Sequence, residues 1–280
     1  MFLKGCPLSC EWCHNPESQA PGFELIHRPA RCIRCGSCVD ACPQGAIAWT
    51  DDGPVTDRSL CIACGECADA CVADARQHIG REVSVDEVVA EAERDRAFYE
   101  QSGGGVTLTG GEPLFQREFT PELLAALKAR GLHTALDTCG AVPWSMFERV
   151  RRDVDLFLYD LKLFDDRRHR RFTGASNGLV LANLRALTAL GHRVRLRVPL
   201  IPGFTDDEPN LSALAAFAAT LPRLEGVDLL PYHAGGAEKY VRLGRSYALE
   251  GRGAPSGADL RRAAVLLAEH GLPVAEAGGP

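Results

Sequence analysis

The stretch Gly103-Gly-Gly-Val-Thr-Leu-Thr-Gly-Gly-Glu-Pro113 decides the fold class, because it holds one whole strand and both of its boundaries. Its three leading glycines end a helix that the capping-box pair Ser84 and Glu87 begins. The apolar, β-branched residues Val106–Thr109 predict a strand. Thr120-Pro121 then starts another helix. This strand and helix form one unit that we expect to repeat along the chain.

The same alternation continues on both sides of that unit. Further strands are predicted just before Cys6 and over Thr134–Asp137, Asp155–Asp160, Arg193–Leu200 and Val227–Leu230, and helices over Trp144–Arg152, Leu179–Leu190, Asp207–Leu221 and Gly257–His270. Strands that alternate with helices imply a parallel sheet with right-handed crossovers. Six such units favour an α/β fold of the partial (β/α)6 barrel type over a doubly wound open sheet.

Composition narrows the functional class. The chain has 280 residues, of which 46% are hydrophobic and 24% charged, as in ordinary soluble globular proteins. Its net charge of -6 gives no electrostatic reason to expect nucleic acid as a partner. No apolar run is long enough for a membrane span, so we expect no membrane partner and a cytoplasmic location. Because that compartment keeps thiols reduced, the 12 cysteines predict metal sites and not disulfides.

Two cysteine groups are copies of one another, with the shared pattern Cys-Ile-x-Cys-Gly-x-Cys-x-Asp-Ala-Cys. The spacing is that of bacterial ferredoxins, in which three thiolates hold one cluster and the fourth crosses to the other. The pattern predicts one [4Fe–4S] cluster on Cys32, Cys35, Cys38 and Cys71, and a second on Cys61, Cys64, Cys67 and Cys42. Paired zinc knuckles have similar Cys-x2-Cys spacings and are the alternative. Two identical quartets with no histidine between them favour the clusters.

A third cysteine group lies near the N-terminus and differs from the other two. The segment Cys6-Pro-Leu-Ser-Cys10-Glu-Trp-Cys13 offers three thiolates instead of four. Three ligands on a four-iron cube leave one iron open, and open coordination positions distinguish catalytic metal sites from closed structural ones. This group therefore predicts a cluster that binds a substrate.

Polar residues follow the predicted strands at their carboxyl ends, where parallel barrels gather functional groups. We expect the following to share one rim with the Cys6, Cys10 and Cys13 loop: Gly110, Gly111, Glu112, Asp137, Thr138, Asp160, Lys162, Arg197 and His233. A single acid at a strand end is commonly a helix cap. The ordered occurrence of so many is the stronger signal.

These motifs together resemble those of the glycyl radical enzyme activating enzymes, a radical SAM family that includes pyruvate formate-lyase activating enzyme-like proteins. The resemblance runs through Phe-Leu-Lys-Gly-Cys-Pro-Leu-Ser-Cys-Glu-Trp-Cys-His-Asn-Pro, Thr-Gly-Gly-Glu-Pro, Leu-Asp-Thr-Cys-Gly, Tyr-Asp-Leu-Lys, His169 with Thr173-Gly174 and Asn177, Arg-Val-Pro-Leu-Ile-Pro-Gly-Phe-Thr-Asp and Leu-Leu-Pro-Tyr-His. It covers nearly the whole chain. It is similar to the members that carry a two-cluster ferredoxin insert.

The resemblance implies three [4Fe–4S] clusters and S-adenosylmethionine as cosubstrate. In the family, the open iron chelates this cosubstrate and the cluster reduces its sulfonium. The resulting 5′-deoxyadenosyl radical takes a hydrogen atom from a backbone glycine of a partner glycyl radical enzyme. The resemblance implies that the methionyl amino group is held by Gly110, Gly111 and Glu112. It implies a monovalent cation bound by Asp137, Thr138 and Asp160. The cosubstrate would be positioned by Lys162, Arg197 and His233.

The resemblance also implies an electron donor of the flavodoxin or ferredoxin type. It divides the chain into 1–28, with the first strand and cluster loop, 29–78, the ferredoxin-like insert, and 79–280, the remaining barrel. Family members usually carry a further segment ahead of the first strand, so we expect either a truncated start or an incomplete first strand. Two alternatives stay open. One is a radical SAM enzyme of a small molecule or nucleic acid, and the other is an electron-transfer protein.

Overall fold

The computed structural model of the chain describes residues 1–276. Residues 277–280, which end the predicted segment 79–280, lie outside this described part. The strands are β1 (Phe2–Leu3), β2 (Glu24–His27), β3 (Ile47–Thr50), β4 (Gly53–Thr56), β5 (Arg76–Ile79), β6 (Val106–Gly110), β7 (Thr134–Thr138), β8 (Leu156–Asp160), β9 (Val194–Leu200), β10 (Leu224–Pro231) and β11 (Val274–Glu276). The helices are α1 (Ser37–Asp40), α2 (Glu66–Asp69), α3 (Val85–Arg94), α4 (Arg96–Ser102), α5 (Phe119–Ala129), α6 (Trp144–Val150), α7 (Asp166–Thr173), α8 (Gly178–Ala189), α9 (Glu208–Ala219), α10 (Ala237–Arg242) and α11 (Gly257–Glu269).

Seven strands form the main sheet, in the order β1-β6-β7-β8-β9-β10-β11. Every neighbouring pair is parallel, which confirms the predicted α/β fold with a parallel sheet. All six predicted strands are present, and β11 adds a seventh at the far edge. This strand is only three residues long, too short for its sequence pattern to predict it.

Local signals set the helix boundaries. The Ser84 and Glu87 capping box forms as predicted, with each side chain accepting from the other residue's backbone N–H. The single helix predicted between Ser84 and the glycines that begin at Gly103 is in fact two, because Asp95 leaves the helical conformation (φ -93°, ψ 6°) between α3 and α4. In residues 1–276, no helix has the length and apolar character needed to cross a membrane.

The two faces of the sheet differ in chemistry. Successive side chains along a strand point to opposite faces of the sheet. On one face, side chains such as Leu108, Leu136 and Leu196 are buried in a core that they share with the long helices. On the other face lie charged side chains, such as Arg195 and Arg197 of β9. Fully covered parallel strands usually lack this alternation. One face therefore serves stability, and the other is free to carry a site.

A smaller body is inserted between β1 and α3. It begins and ends in an antiparallel ribbon, in which β2 pairs with β5 and His27 lies opposite Arg76. Between them lie the β3–β4 hairpin and the short helices α1 and α2. Each short helix begins after a glycine with positive φ, Gly36 at 89° and Gly65 at 92°, a conformation that glycine adopts without steric cost.

Candidate functional site

The loop of Cys6, Cys10 and Cys13 leaves the carboxyl end of β1 and is held from two sides. On one side its backbone pairs with the end of α7: the N–H of Ser9 donates to the carbonyl of Thr173 at 2.8 Å, and that of Glu11 to Phe172 at 3.0 Å. On the other side the ammonium of Lys239 donates to Glu17 at 2.6 Å. Lys239 was missed in the sequence, because 222 residues separate it from Glu17.

A tyrosine cluster packs beneath this loop. Cys10 and Trp12 are buried in a group with Tyr232, Tyr240 and Tyr247. Burial raises the pKa of the Cys10 thiol to about 12. A thiolate at this position therefore needs a neighbouring positive charge, and iron ions supply one. The chemistry of the three donors thus fits an iron–sulfur cluster, the group that the spacing predicted.

The two rim glycines are required by the chain itself. A Cβ on Gly110, where φ is 124°, would lie 2.2 Å from the carbonyl oxygen of Leu3. One on Gly111 would lie 2.3 Å from the carbonyl oxygen of Gly5. The glycines were interpreted as allowing a close approach of ligand. In the structure they let the end of β6 pack directly against β1 and the cluster loop.

Glu112 lies below the rim, with no exposed surface. Its carboxylate accepts hydrogen bonds from the hydroxyl of Thr138 at 2.9 Å, the N–H of Cys139 at 2.7 Å and the N–H of Leu114 at 3.1 Å. Burial raises the pKa of Glu112 despite these donors. The carboxylate thus ties the end of β6 to the end of β7.

Four charged residues at the strand ends form one network on the polar face. The Arg197 guanidinium lies 2.5 Å from Asp137 and 3.9 Å from Asp160, and the Lys162 ammonium lies 2.5 Å from Asp160. Burial and the nearby Asp160 raise the pKa of Asp137. Burial opposes the charge on Lys162, but Asp160 and the neighbouring cysteines outweigh it and raise its pKa. The predicted residues of β7, β8 and β9 are therefore brought together.

One carboxylate oxygen in this network could accept a further contact. Oδ1 of Asp160 is buried and has no hydrogen-bond partner among residues 1–276. A buried carboxylate oxygen without a partner is costly, so a cation or a ligand ammonium group would stabilise it. His233 is exposed, and its ring centroid lies 4.2 Å from that of His14, next to Cys13.

The remaining eight cysteines line two cavities in the inserted body. One cavity has Cys32, Cys35, Cys38 and Cys71 in its wall. The other has Cys42, Cys61, Cys64 and Cys67 in its wall. Each cavity thus collects three cysteines of one repeat and the last cysteine of the other, the grouping expected from the spacing.

Backbone donors point at the sulfur atoms of this body. The N–H of Ala46 donates to Cys42 Sγ at 3.2 Å, and the N–H of Ala75 donates to Cys71 Sγ at 3.3 Å. Such bonds stabilise thiolates and help to set the potential of a cluster. Nowhere in residues 1–276 do three His, Cys, Asp or Glu side chains converge as ligands of a single metal ion.

Known proteins resemble this chain over most of its length. Residues 1–215 match the Radical SAM superfamily. The trans-4-hydroxy-L-proline dehydratase activating enzyme of Clostridioides difficile is 45% identical over 88% of this chain and 82% of its own length. The choline trimethylamine-lyase activating enzyme of Oleidesulfovibrio alaskensis is 42% identical over 98% of this chain and 90% of its own length.

A solved structure points the same way. A domain of the pyruvate-formate lyase-activating enzyme from Bacteroides vulgatus superposes with a TM-score of 0.54 at 33% identity, covering 62% of this chain and 99% of that domain. The chain therefore belongs to the radical SAM superfamily and, within it, to the activating enzymes of glycyl radical enzymes.

Proposed function

We propose that this chain activates a glycyl radical enzyme by removing a hydrogen atom from the α-carbon of one of that enzyme's glycines. The observation that carries the proposal is a loop of three cysteines that lies beside a half-buried network of acids and cations at the strand ends. When bound, the [4Fe–4S] cluster supplies the electron that splits S-adenosylmethionine into methionine and a 5′-deoxyadenosyl radical.

Cys6, Cys10 and Cys13 would hold that cluster. The loop is clamped on one side by α7 and on the other by Lys239, so the three thiolates are positioned before the cluster binds. The tyrosine cluster below excludes water from Cys10. A hydrophobic wall around the ligands limits the access of solvent to the cluster and influences its redox potential.

The strand ends would bind the cosubstrate. The turn of Gly110 and Gly111 would bind the methionyl amino group, and Glu112 maintains the shape of this turn through its three donors. Lys162 and Arg197 would orient the carboxylate end, and His233 would lie at the outer edge. Asp137, Asp160 and Thr138 would ligate a monovalent cation, a role that the unpartnered oxygen of Asp160 supports.

Residues 29–78 would form a ferredoxin-like insert with two more [4Fe–4S] clusters, between a first segment 1–28 and a remainder 79–280 that completes a partial (β/α)6 barrel. The two cysteine-lined cavities and the N–H···S bonds support this assignment. Electrons would arrive from a flavodoxin or a ferredoxin-type protein. The need for reduced thiols favours a cytoplasmic location.

The test is anaerobic reconstitution followed by electron paramagnetic resonance. The protein is mixed with reductant, S-adenosylmethionine and candidate glycyl radical enzymes, including those encoded near its gene. We expect one candidate to acquire a glycyl radical signal that requires all components, with 5′-deoxyadenosine formed alongside. Consumption of a small metabolite without any such signal would instead favour a small-molecule enzyme. The matched control is Cys10→Ala, which should produce neither signal nor product.

A further inference from the structure

Arg76 is a buried arginine between the two cysteine-lined cavities. It begins β5, and only 2% of its surface is exposed. Its side chain lines the cavity of Cys32, Cys35, Cys38 and Cys71. One of its terminal nitrogens donates to the hydroxyl of Thr56 at 2.7 Å, and Thr56 lines the other cavity. The guanidinium thus adjoins both cysteine quartets.

No acidic side chain of residues 1–276 balances the charge on Arg76. Its two assigned hydrogen bonds go to neutral oxygens, those of Thr56 and Pro54, and Nε has no partner among residues 1–276. No carboxylate in the described part of the chain lies within ion-pair distance of it. Arginine stays protonated in proteins, and a buried, unpaired charge is costly. A negative group must therefore compensate it, and the cysteine thiolates of the two cavities are the available ones.

We infer that Arg76 is the shared counter-ion of the two insert clusters and raises the reduction potential of both. A cluster held by four thiolates carries a net negative charge, which grows when it accepts an electron. A fixed positive charge in a dry site therefore stabilises the reduced form more than the oxidised form. This inference rests on the proposed insert clusters.

The measurement is a redox titration of the insert clusters, monitored by absorbance and electron paramagnetic resonance. The full chain is used with Cys6→Ala, Cys10→Ala and Cys13→Ala, so that only the insert clusters contribute. For Arg76→Gln we expect the ratio of reduced to oxidised cluster at a fixed potential to fall about tenfold, or about 59 mV for one electron. Arg76→Lys keeps the charge and should stay close to the reference. Arg34→Gln removes an exposed arginine at the rim of one cavity and should have little effect.

Each outcome decides between specific ideas. Full iron and an unchanged potential in Arg76→Gln would overturn the counter-ion role and leave the insert clusters standing. A reference protein with no iron would remove the insert clusters themselves, and the inference with them. If Arg76→Gln fails to load iron, Arg76→Met and Arg76→Lys settle the matter. Loading of the Lys variant alone supports a need for charge, and equal loss in all three shows a structural role only.

Discussion

The three-cysteine loop and the two cysteine quartets differ in their surroundings more than in their ligands. The loop lies beside Asp160, Lys162 and other charged groups that could hold a second molecule. The quartets enclose small cavities, one sulfur atom of each quartet accepts a hydrogen bond from a backbone N–H, and Arg76 is the buried charge. The surroundings, together with the missing fourth thiolate, support the proposal of one site for chemistry and two for electron transfer.

The strongest test of this comparison is to remove one thiolate from the loop. Cys10→Ala should reduce S-adenosylmethionine cleavage to background, because two thiolates hold the cluster poorly, while the iron of the quartets remains. Cleavage is measured as 5′-deoxyadenosine by chromatography, and iron by chemical assay. The matched control is Cys139→Ala, which removes a buried free thiol from the same cluster of side chains and should leave cleavage intact. Normal cleavage by Cys10→Ala would contradict the comparison.

The next effect concerns the charged network. Asp160→Asn should weaken binding of S-adenosylmethionine by about 10-fold to 100-fold, the usual cost of losing a group that supports a metal or cofactor site. It removes the negative charge that faces Lys162 and replaces one of the two carboxylate oxygens with an amide nitrogen. Equilibrium binding of the reconstituted enzyme measures it. Asp228→Asn breaks a comparable pair with Arg195 farther from the strand ends, so its affinity should be unchanged. Equal losses in both variants would point to general destabilisation.

A smaller effect on cleavage is expected from the quartets. Cys35→Ala should lose the iron of one cluster yet retain S-adenosylmethionine cleavage when dithionite is the reductant, because a small reductant can reach the loop cluster directly. With a protein donor, cleavage should slow. The comparison of the two reductants in one assay is the measurement. Loss of cleavage with dithionite would mean that the quartets take part in the chemistry.

The smallest effect is on stability near the loop. His169 is buried in α7, and its Nδ1 donates to the carbonyl of Ala175 at 2.6 Å. Burial lowers its pKa, so its contribution is present above the unfolded value of about 6.5 and is lost as pH falls through the folded value. The melting temperature of wild type should therefore fall more steeply below pH 6.5 than that of His169→Asn. At pH 8 the variant should be less stable by about 1 kcal/mol, the value of one hydrogen bond. Parallel pH profiles would contradict this.

Much of the fold could be predicted because its signals are local. The capping box of Ser84 and Glu87 and the β-branched strand at Val106 depend on neighbouring residues only. The cysteine spacing likewise predicted which thiols share a cavity. By contrast, β11 has three residues and no pattern, and it pairs with β10 only because the tertiary fold brings it there.

The finer parts of the site could not be predicted, because they depend on contacts between distant segments. Lys239 reaches Glu17 across 222 residues, and no local pattern marks it. Glu112 was expected to face a ligand, whereas its carboxylate is occupied by Thr138, Cys139 and Leu114. Arg76 carries no local sign of its role, because only the tertiary fold buries it between two cavities.

The ribbon of β2 and β5 has an evolutionary consequence. Because Glu24 pairs with Ile79 and His27 with Arg76, the strands at the two ends of the inserted body run side by side. A duplication or deletion of everything between them would need only a tight turn to rejoin the chain. Lineages could thus acquire or lose the inserted body in one genetic step, while the strand ends of the main sheet kept their geometry.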